Sequence, residues 1–232
     1  MDSTPAPTLG LTELRARIAA VEQRIQRACD RAGRRRDEVT LLAVTKIFPA
    51  QTILDAYTLG LREFGENYVQ EFETKAPQVR SLAGARFHLI GHLQSNKSHK
   101  AAELFDVIQT VDSGKLGRRL AAEGRPLEVM IEVKLSDEQT KHGCAPADLP
   151  ALVDLIRSEK SLSLTGLMTM PPWSDDPESA RPSFQKLRAL AAAVGVPGLS
   201  MGMSHDLEVA IQEGSTMVRV GTALFGSRKP AA

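Results

Sequence analysis

Aromatic residues are scarce in this chain: one Trp, two Tyr and seven Phe make up 4% of 232 residues. Single-stranded nucleic acid is gripped by bases stacked on aromatic platforms, so the scarcity argues against that role. Charge of one sign is lacking too, since 29 Lys and Arg face 28 Asp and Glu, a formal net charge of +1. Without a basic stripe there is no global pull towards nucleic acid or an anionic membrane surface. No apolar run is long enough to span a bilayer. The opening residues, MDSTPAPTLG, lack the basic and apolar regions of a signal peptide. The two cysteines, Cys29 and Cys144, lie far apart and show no metal-type spacing. They read as reduced thiols of a cytoplasmic protein, and no metal site is expected.

What the chain does have is apolar material, 42% of its residues, enough for one sizeable core. Residues 1–10 read as a short polar tail containing two prolines. Residues 11–232 read as a single domain, because no linker or low-complexity stretch divides them. Leu11, Leu14, Ile18, Val21 and Ile25 recur at helical spacing, so Leu11 to Ala32 is an amphipathic helix stopped by Gly33. Arg34, Arg35 and Arg36 form a basic run that, in a chain of balanced charge, reads as a solvated loop.

The stretch around which the rest is organised is Leu41 to Lys46, LLAVTK. Its continuous apolar run is the pattern of a strand covered on both faces, and it delivers a lysine at its carboxyl end. Pro49 soon afterwards suits a helix start. An amine at the mouth of a buried site has its pKa lowered by desolvation, which makes it a usable nucleophile towards an aldehyde. The alternative is a surface lysine that points to water.

From Val39 onward, short apolar runs alternate with helical patterns. Strand candidates end at Lys46, then span Arg62 to Gly65, Arg86 to Gly91, Val107 to Val111, Leu127 to Leu135, Leu162 to Met168, Leu199 to Met203 and Met217 to Val220. Helical stretches follow at Pro49 to Leu59, Tyr68 to Val79, Ser95 to Leu104, Asp112 onward, Pro146 to Ser158, Arg181 to Val194 and Asp206 to Gln212. Eight strand candidates, each followed by a helix or helical turn, fit a single (β/α)8 TIM barrel of the α/β class, with the first helix as an extra element. An open doubly wound sheet competes, but no GxGxxG follows the first strand.

In such barrels the chemistry sits at the carboxyl ends of the strands. Those ends carry Lys46; Glu66 and Asn67; His92, Gln94, Ser95 and Asn96; Lys141 and Gly143; Met168 and Met170; Met203, Ser204 and His205; and Arg219, Gly221 and Thr222. Such a face suits a small, polar, anionic ligand. The loops after strands seven and eight commonly bind phosphate. There Ser204 supplies a hydroxyl beside a helix start, Gly221 lets backbone approach closely, and Thr222 adds a second hydroxyl. An imine-forming lysine beside a phosphate site fits a sugar phosphate handled by a Schiff-base lyase, and equally pyridoxal 5′-phosphate (PLP). Arg219 separates them only weakly. A guanidinium at a pyridine nitrogen donates a hydrogen bond and leaves that nitrogen unprotonated. Its alternative role is a salt bridge to Glu208 or Glu213.

The blocks LLAVTK, FGENYVQE, HLIGHLQSNK, GLMTM, LSMGMSHDLEVAI and GSTMVRVGTALFG, in this order and spacing, resemble the YggS/PROSC family of PLP-binding proteins, the PLP homeostasis proteins. The resemblance runs from the first helix to Gly226. It implies a barrel like the N-terminal domain of alanine racemase. It implies that Lys46 forms a Schiff base with PLP, that Asn67 lines the cofactor site, and that Ser204, Gly221 and Thr222 hold its phosphate. Arg219 matches the arginine near the pyridine nitrogen, and Met203 falls among the pocket residues. Lys141 stands where the family often has a lysine, its role open. Thr45 replaces a common serine, and His92 replaces a proline.

The resemblance further implies a carrier or regulator of PLP, with effects on amino-acid and keto-acid balance and without strong turnover. Apo PLP-dependent enzymes are then its partners. Independently of the resemblance, no long apolar surface helix is left over, so a monomer is the expected state. Racemisation by two bases needs a second acid/base group, and the chain has only two tyrosines, of which Tyr68 could approach the rim while Tyr57 lies in a helix. A weak amino-acid racemase and a sugar-phosphate lyase stand as alternatives.

Overall fold

The structure is a computed structural model and describes residues 9–136, 138 and 142–226. The expected polar tail lies outside the described residues except for Leu9 and Gly10. Eight parallel strands close into a barrel in sequence order: β1 Thr40–Val44, β2 Glu63–Glu66, β3 Arg86–Leu89, β4 Val107–Val111, β5 Leu127–Glu132, β6 Leu162–Met168, β7 Gly198–Met203 and β8 Met217–Val220. β8 pairs back onto β1 with Leu42 opposite Arg219, which removes both sheet edges. Around the strands run α1 Leu11–Arg31, α2 Ala50–Thr58, α3 Val69–Val79, α4 Ser98–Leu104, α5 Gly114–Ala121, α6 Leu149–Ser158, α7 Arg181–Val194, α8 Leu207–Gln212 and α9 Thr222–Phe225.

Because successive strand residues face opposite ways, the apolar run of β1 serves two layers. Leu41 and Ala43 belong to the large core between strands and helices, whereas Leu42 and Val44 join Ile90 and Met217 in a small separate cluster. The outer layer is richest where Phe64, Phe72, Phe87 and Phe105 pack ring on ring, with centroids 4.8–5.7 Å apart. α1 buries Leu14, Val21, Ile25, Ala28 and Cys29 beside α8 and α9, and Arg24 grips Glu208 of α8 through two bonds of 2.7 and 2.8 Å. Cys29 and Cys144 are both free and buried, and burial raises both thiols, Cys144 to about 11. Among the described residues no helix is long and apolar enough to cross a membrane.

Several boundaries move from the sequence reading. β1 stops at Val44, so Lys46 sits in the turn beyond it, between the buried Thr45 and an Ile47 held at a positive φ of 66°. β2 includes Glu66, β3 ends at Leu89, and β5 ends at Glu132, beyond which Val133 also bridges to Cys144 in the returning loop. The basic run is docked rather than freely solvated. Arg34 donates to the carbonyls of Ile211 and Ser215 at the end of α8, and Arg36 holds Glu22, while only Arg35 stays open to solvent with Asp37.

The turn after β1 is fastened by an ionic cluster that sequence patterns did not suggest. Lys75 lies on the buried stripe of α3 with Val69, Phe72, Ala76 and Val79. Its ammonium donates to both oxygens of Glu66 at 2.9 and 3.0 Å and to the carbonyl of Thr45 at 3.0 Å, and it lies 2.7 Å from Glu71. The Thr45 hydroxyl donates to Glu66 at 2.7 Å, and the Ile47 N–H donates to Glu71. Burial pushes the Glu66 carboxyl above its usual range, and the Lys75 charge pulls it back.

Removing one partner of a buried pair leaves an uncompensated charge, so Lys75→Met is expected to cost about 3–5 kcal/mol in urea denaturation. Adding Glu66→Gln should return part of it. Burial already raises the folded-state pKa of Glu66 above its unfolded value, and losing the Lys75 charge raises it further. The single variant therefore loses stability as pH rises through the carboxylate range and upward, and is least impaired in acid. A cost below about 1 kcal/mol would show that the cluster does not hold the turn.

Candidate functional site

The carboxyl ends of β7, β8, β1 and β2 are neighbours around the rim, and they carry most of the residues that the sequence singled out. In rim order these are Met203 and Ser204, then Gly221 and Thr222 above Arg219, then Lys46, then Asn67. Lys46 is exposed in its turn, yet both of its chain neighbours are bonded into the Lys75 cluster. The flanking backbone is thus fixed while the amine is free to reach over the barrel mouth. The expected lysine at a strand end is present, but it is not buried.

Arg219 is the opposite case, a guanidinium only 3% exposed inside the barrel. Glu208 and Glu213, the acidic partners considered for it, are taken by Arg24 and by Arg181 and Arg188. Arg219 instead donates from one terminal nitrogen to the Ser200 carbonyl and hydroxyl at 2.7 and 2.8 Å, and from the other to the Thr169 carbonyl at 2.9 Å. Burial lowers its pKa to about 10, with Asp206 and Glu132 acting the other way, so it remains charged near neutrality.

An arginine can only donate, and this gives direction to a buried chain of bonds across the barrel. Ser200 accepts from Arg219, so its hydroxyl donates onward to Gln109 Oε1 at 2.6 Å. Gln109 Nε2 then meets His88 Nδ1 at 2.8 Å as donor, and His88 Nε2 carries the proton that points to Glu63 at 2.5 Å. Every bond runs from Arg219 towards Glu63. Ser200 and Gln109 are fully buried and His88 nearly so.

At the rim, the Ser204 hydroxyl accepts from the Ala223 N–H at 3.3 Å, which ties the loop after β7 to the first turn of α9. The turn into α8 is closed by Asp206, whose carboxylate accepts from the Met203 N–H at 2.6 Å. Burial raises the Asp206 carboxyl, opposed by that hydrogen bond and by Arg219. A Cβ on Gly221 would make only ordinary contact with Val44 at 3.4 Å, so packing within the chain does not require glycine there.

Beside this arc opens a cavity of about 400 Å³ lined by Asn67, Met203, Glu132, His92, His142 and Trp173, among others. Trp173 is 70% exposed, with its ring 4.9 Å from that of His205. Lys46, Ser204, Arg219, Gly221 and Thr222 do not line this cavity, so the arc and the cavity share only Asn67 and Met203. Gly91 shapes the junction, since a Cβ there would fall 2.2 Å from the Asn67 carbonyl. His92 stacks on His142 with ring centroids 3.6 Å apart, and burial followed by the His142 charge lowers its pKa. Tyr57 bonds the Ala83 carbonyl in the helical layer, whereas Tyr68 is 57% exposed next to Asn67. Lys141 lies outside the described residues.

Sequence reasoning overlooked Lys75, Glu71, Ser200, Gln109, His88, Thr169 and Asp206. All but Glu71 had a visible signal: a lysine on the apolar stripe of a helix, or a polar residue inside or just beyond an apolar strand.

Residues 17–229 match the family model described as the alanine racemase N-terminal domain. A pyridoxal phosphate homeostasis protein of Pseudomonas aeruginosa is 44% identical over 217 residues, covering 91% of this chain and 94% of its own length. One from Aquifex aeolicus is 41% identical over 223 residues, covering 92% and 97%. Among solved structures, PipY of Synechococcus elongatus with PLP bound superposes with a TM-score of 0.82 at 36% identity, covering 92% of this chain and all of that one. With a closed eight-stranded barrel and relatives aligned along nearly all of their length, the chain belongs to the alanine racemase N-terminal domain family, among the pyridoxal phosphate homeostasis proteins.

Proposed function

We propose that this protein binds pyridoxal 5′-phosphate on the arc formed by β7, β8, β1 and β2, and serves PLP homeostasis by holding, storing or delivering the cofactor. The observation that carries the reading is the pairing of a free amine on an anchored turn with a buried, pinned guanidinium on the adjoining strand. PLP supplies an aldehyde that condenses with a primary amine and an electron-poor ring.

The residues fit that group. Lys46 is the covalent holder. Its exposure suits a site that loads and releases, because an amine open to water is reached by incoming cofactor and by hydrolysis alike. Ser204, Gly221 and Thr222 hold the phosphate. Glycine at 221, which the chain's own packing does not demand, is accounted for by a ligand lying against the backbone. Arg219 offers a hydrogen bond to the ring nitrogen and, being charged and bound in place, does not give that nitrogen a proton. This weakens the ring as an electron sink and favours carriage over turnover. Asn67 and Met203 flank the ring where the arc meets the neighbouring cavity.

The recipients on this reading are apo PLP-dependent enzymes in the cytoplasm, met by a monomeric carrier. A weak racemase would need Tyr68 or another group as its second base, and deuterium exchange at the α-carbon of an added amino acid reports that activity.

Purified protein is expected to show an absorption band of bound PLP that borohydride fixes covalently. Lys46→Ala should lose the fixation, and the loaded protein should reactivate an apo-enzyme on mixing. If neither protein binds added PLP, the reading fails and a sugar-phosphate lyase becomes the better account.

The buried chain beneath Arg219 generates a second expectation. Ser200→Ala removes a hydroxyl that both accepts from Arg219 and donates to Gln109, leaving buried polar atoms unpaired. It should cost about 1–3 kcal/mol of stability and weaken PLP binding while leaving borohydride fixation at Lys46 intact, measured by urea melts and equilibrium titration. Unchanged affinity would show that Arg219 is not positioned through this chain.

A further inference from the structure

We propose that His92, Asp112 and His142 form a binding site for a divalent late first-row transition ion such as Zn²⁺, on the rim next to the cofactor arc. No metal-type spacing marks these residues, because they lie 20 and 30 positions apart and meet only when the barrel closes. His92 follows β3, Asp112 follows β4 directly, and His142 lies in the loop returning after β5. These strands are neighbours, and one donor atom from each residue lies within 4.8 Å of the others, with His92 Nδ1 at 3.6 Å from the Asp112 carboxylate.

The backbones that carry the donors are fixed. The Thr110 hydroxyl donates to the Gly91 carbonyl at 2.8 Å, which ties the turn of His92 to the strand leading into Asp112. Beyond His142, the Cys144 N–H donates to the Glu132 carbonyl at 2.7 Å and the Lys134 N–H to the Cys144 carbonyl at 3.0 Å, so the loop re-enters along β5. Gly143 makes the close return with φ of 124°, where a Cβ would fall 2.7 Å from the Lys134 nitrogen. The side chains above these anchors retain freedom, since both imidazoles are exposed.

That freedom is needed. A metal lies in the plane of each imidazole it binds, and the two rings now stack 3.6 Å apart with an angle of 11° between planes. An ion is taken up by swinging one ring out of the stack, while the Asp112 oxygen supplies the third ligand. Two imidazoles and one carboxylate suit Zn²⁺, Ni²⁺ or Cu²⁺ and leave a coordination position for water. His92 and His142 also line the cavity that Asn67 and Met203 share with the cofactor arc, so a bound ion stands at its border. The proposal rests on the three side chains and does not require PLP.

The test is calorimetric titration of untagged, PLP-free, full-length protein with Zn²⁺, followed by Co²⁺ as a spectroscopic probe through its d–d absorption. One saturable site is expected. His92→Ala, His142→Ala and Asp112→Asn should each weaken it by at least about tenfold, the scale on which even outer-shell partners act. His99→Ala should leave it unchanged, because His99 pairs with Glu123 and is not one of the three donors. All four positions reach the surface, and thermal melts report whether the variants keep the fold. Absence of saturable binding, or binding that survives in the His92→Ala/His142→Ala double variant, overturns the proposal.

Discussion

A single buried ammonium decides where the turn that carries Lys46 stands. Lys75 is 5% exposed on the inward face of α3, and it reaches the two elements that matter, the Thr45 carbonyl beyond β1 and the Glu66 carboxylate ending β2. Ion pairs removed from water stabilise little by themselves, and their known use is to specify one geometry among several. Here the geometry is a short turn with Ile47 at a positive φ, a conformation that a β-branched residue adopts only under constraint from its surroundings. The Glu71 contact to the Ile47 N–H supplies part of that constraint. The backbone on both sides of Lys46 is therefore fixed while its side chain stays exposed.

The second constraint lies inside the barrel. TIM-type barrels fill their interior with layers of side chains, for which branched apolar residues suffice. This interior instead carries Arg219, Ser200, Gln109 and His88 in hydrogen-bonded sequence, ending at Glu63. Buried polar groups are costly when half satisfied and rigid when fully satisfied. Because arginine has no acceptor, the orientation of every later member follows from its presence. The position of Arg219 is thus a property of the whole barrel section rather than of β8 alone.

The architecture was legible because both of its signals are local. Apolar runs too short for helices, separated by stretches of helical period, point to eight βα units, and the strand-end rule then gathers Lys46, Asn67, Ser204 and Arg219 on one face. Boundaries at Lys46, Gly91 and Leu135 overran by two or three residues, because one further cross-strand bond at Thr45, Ile90 and Val133 carries the extended chain past the last strand residue before it turns towards the rim. The supporting residues were less legible, since their partners are distant in sequence: Ser200 bonds Gln109 across 91 positions and Lys75 reaches Thr45 across 30. The triad of His92, Asp112 and His142 is the extreme case, created only by the adjacency of β3, β4 and β5.

The rim thus divides into an arc from β7 to β2 with amine, hydroxyls and a buried cation, and an arc from β3 to β5 with imidazoles and a carboxylate. The most direct measurement is a crystal structure of the protein grown with PLP. The ligand is expected on the first arc, covalently joined to Lys46, with its phosphate at Ser204, Gly221 and Thr222, its ring nitrogen at Arg219, and the Lys75 cluster unchanged. Density for PLP on another lysine, or a phosphate seated away from the β7 and β8 loops, would contradict the assignment.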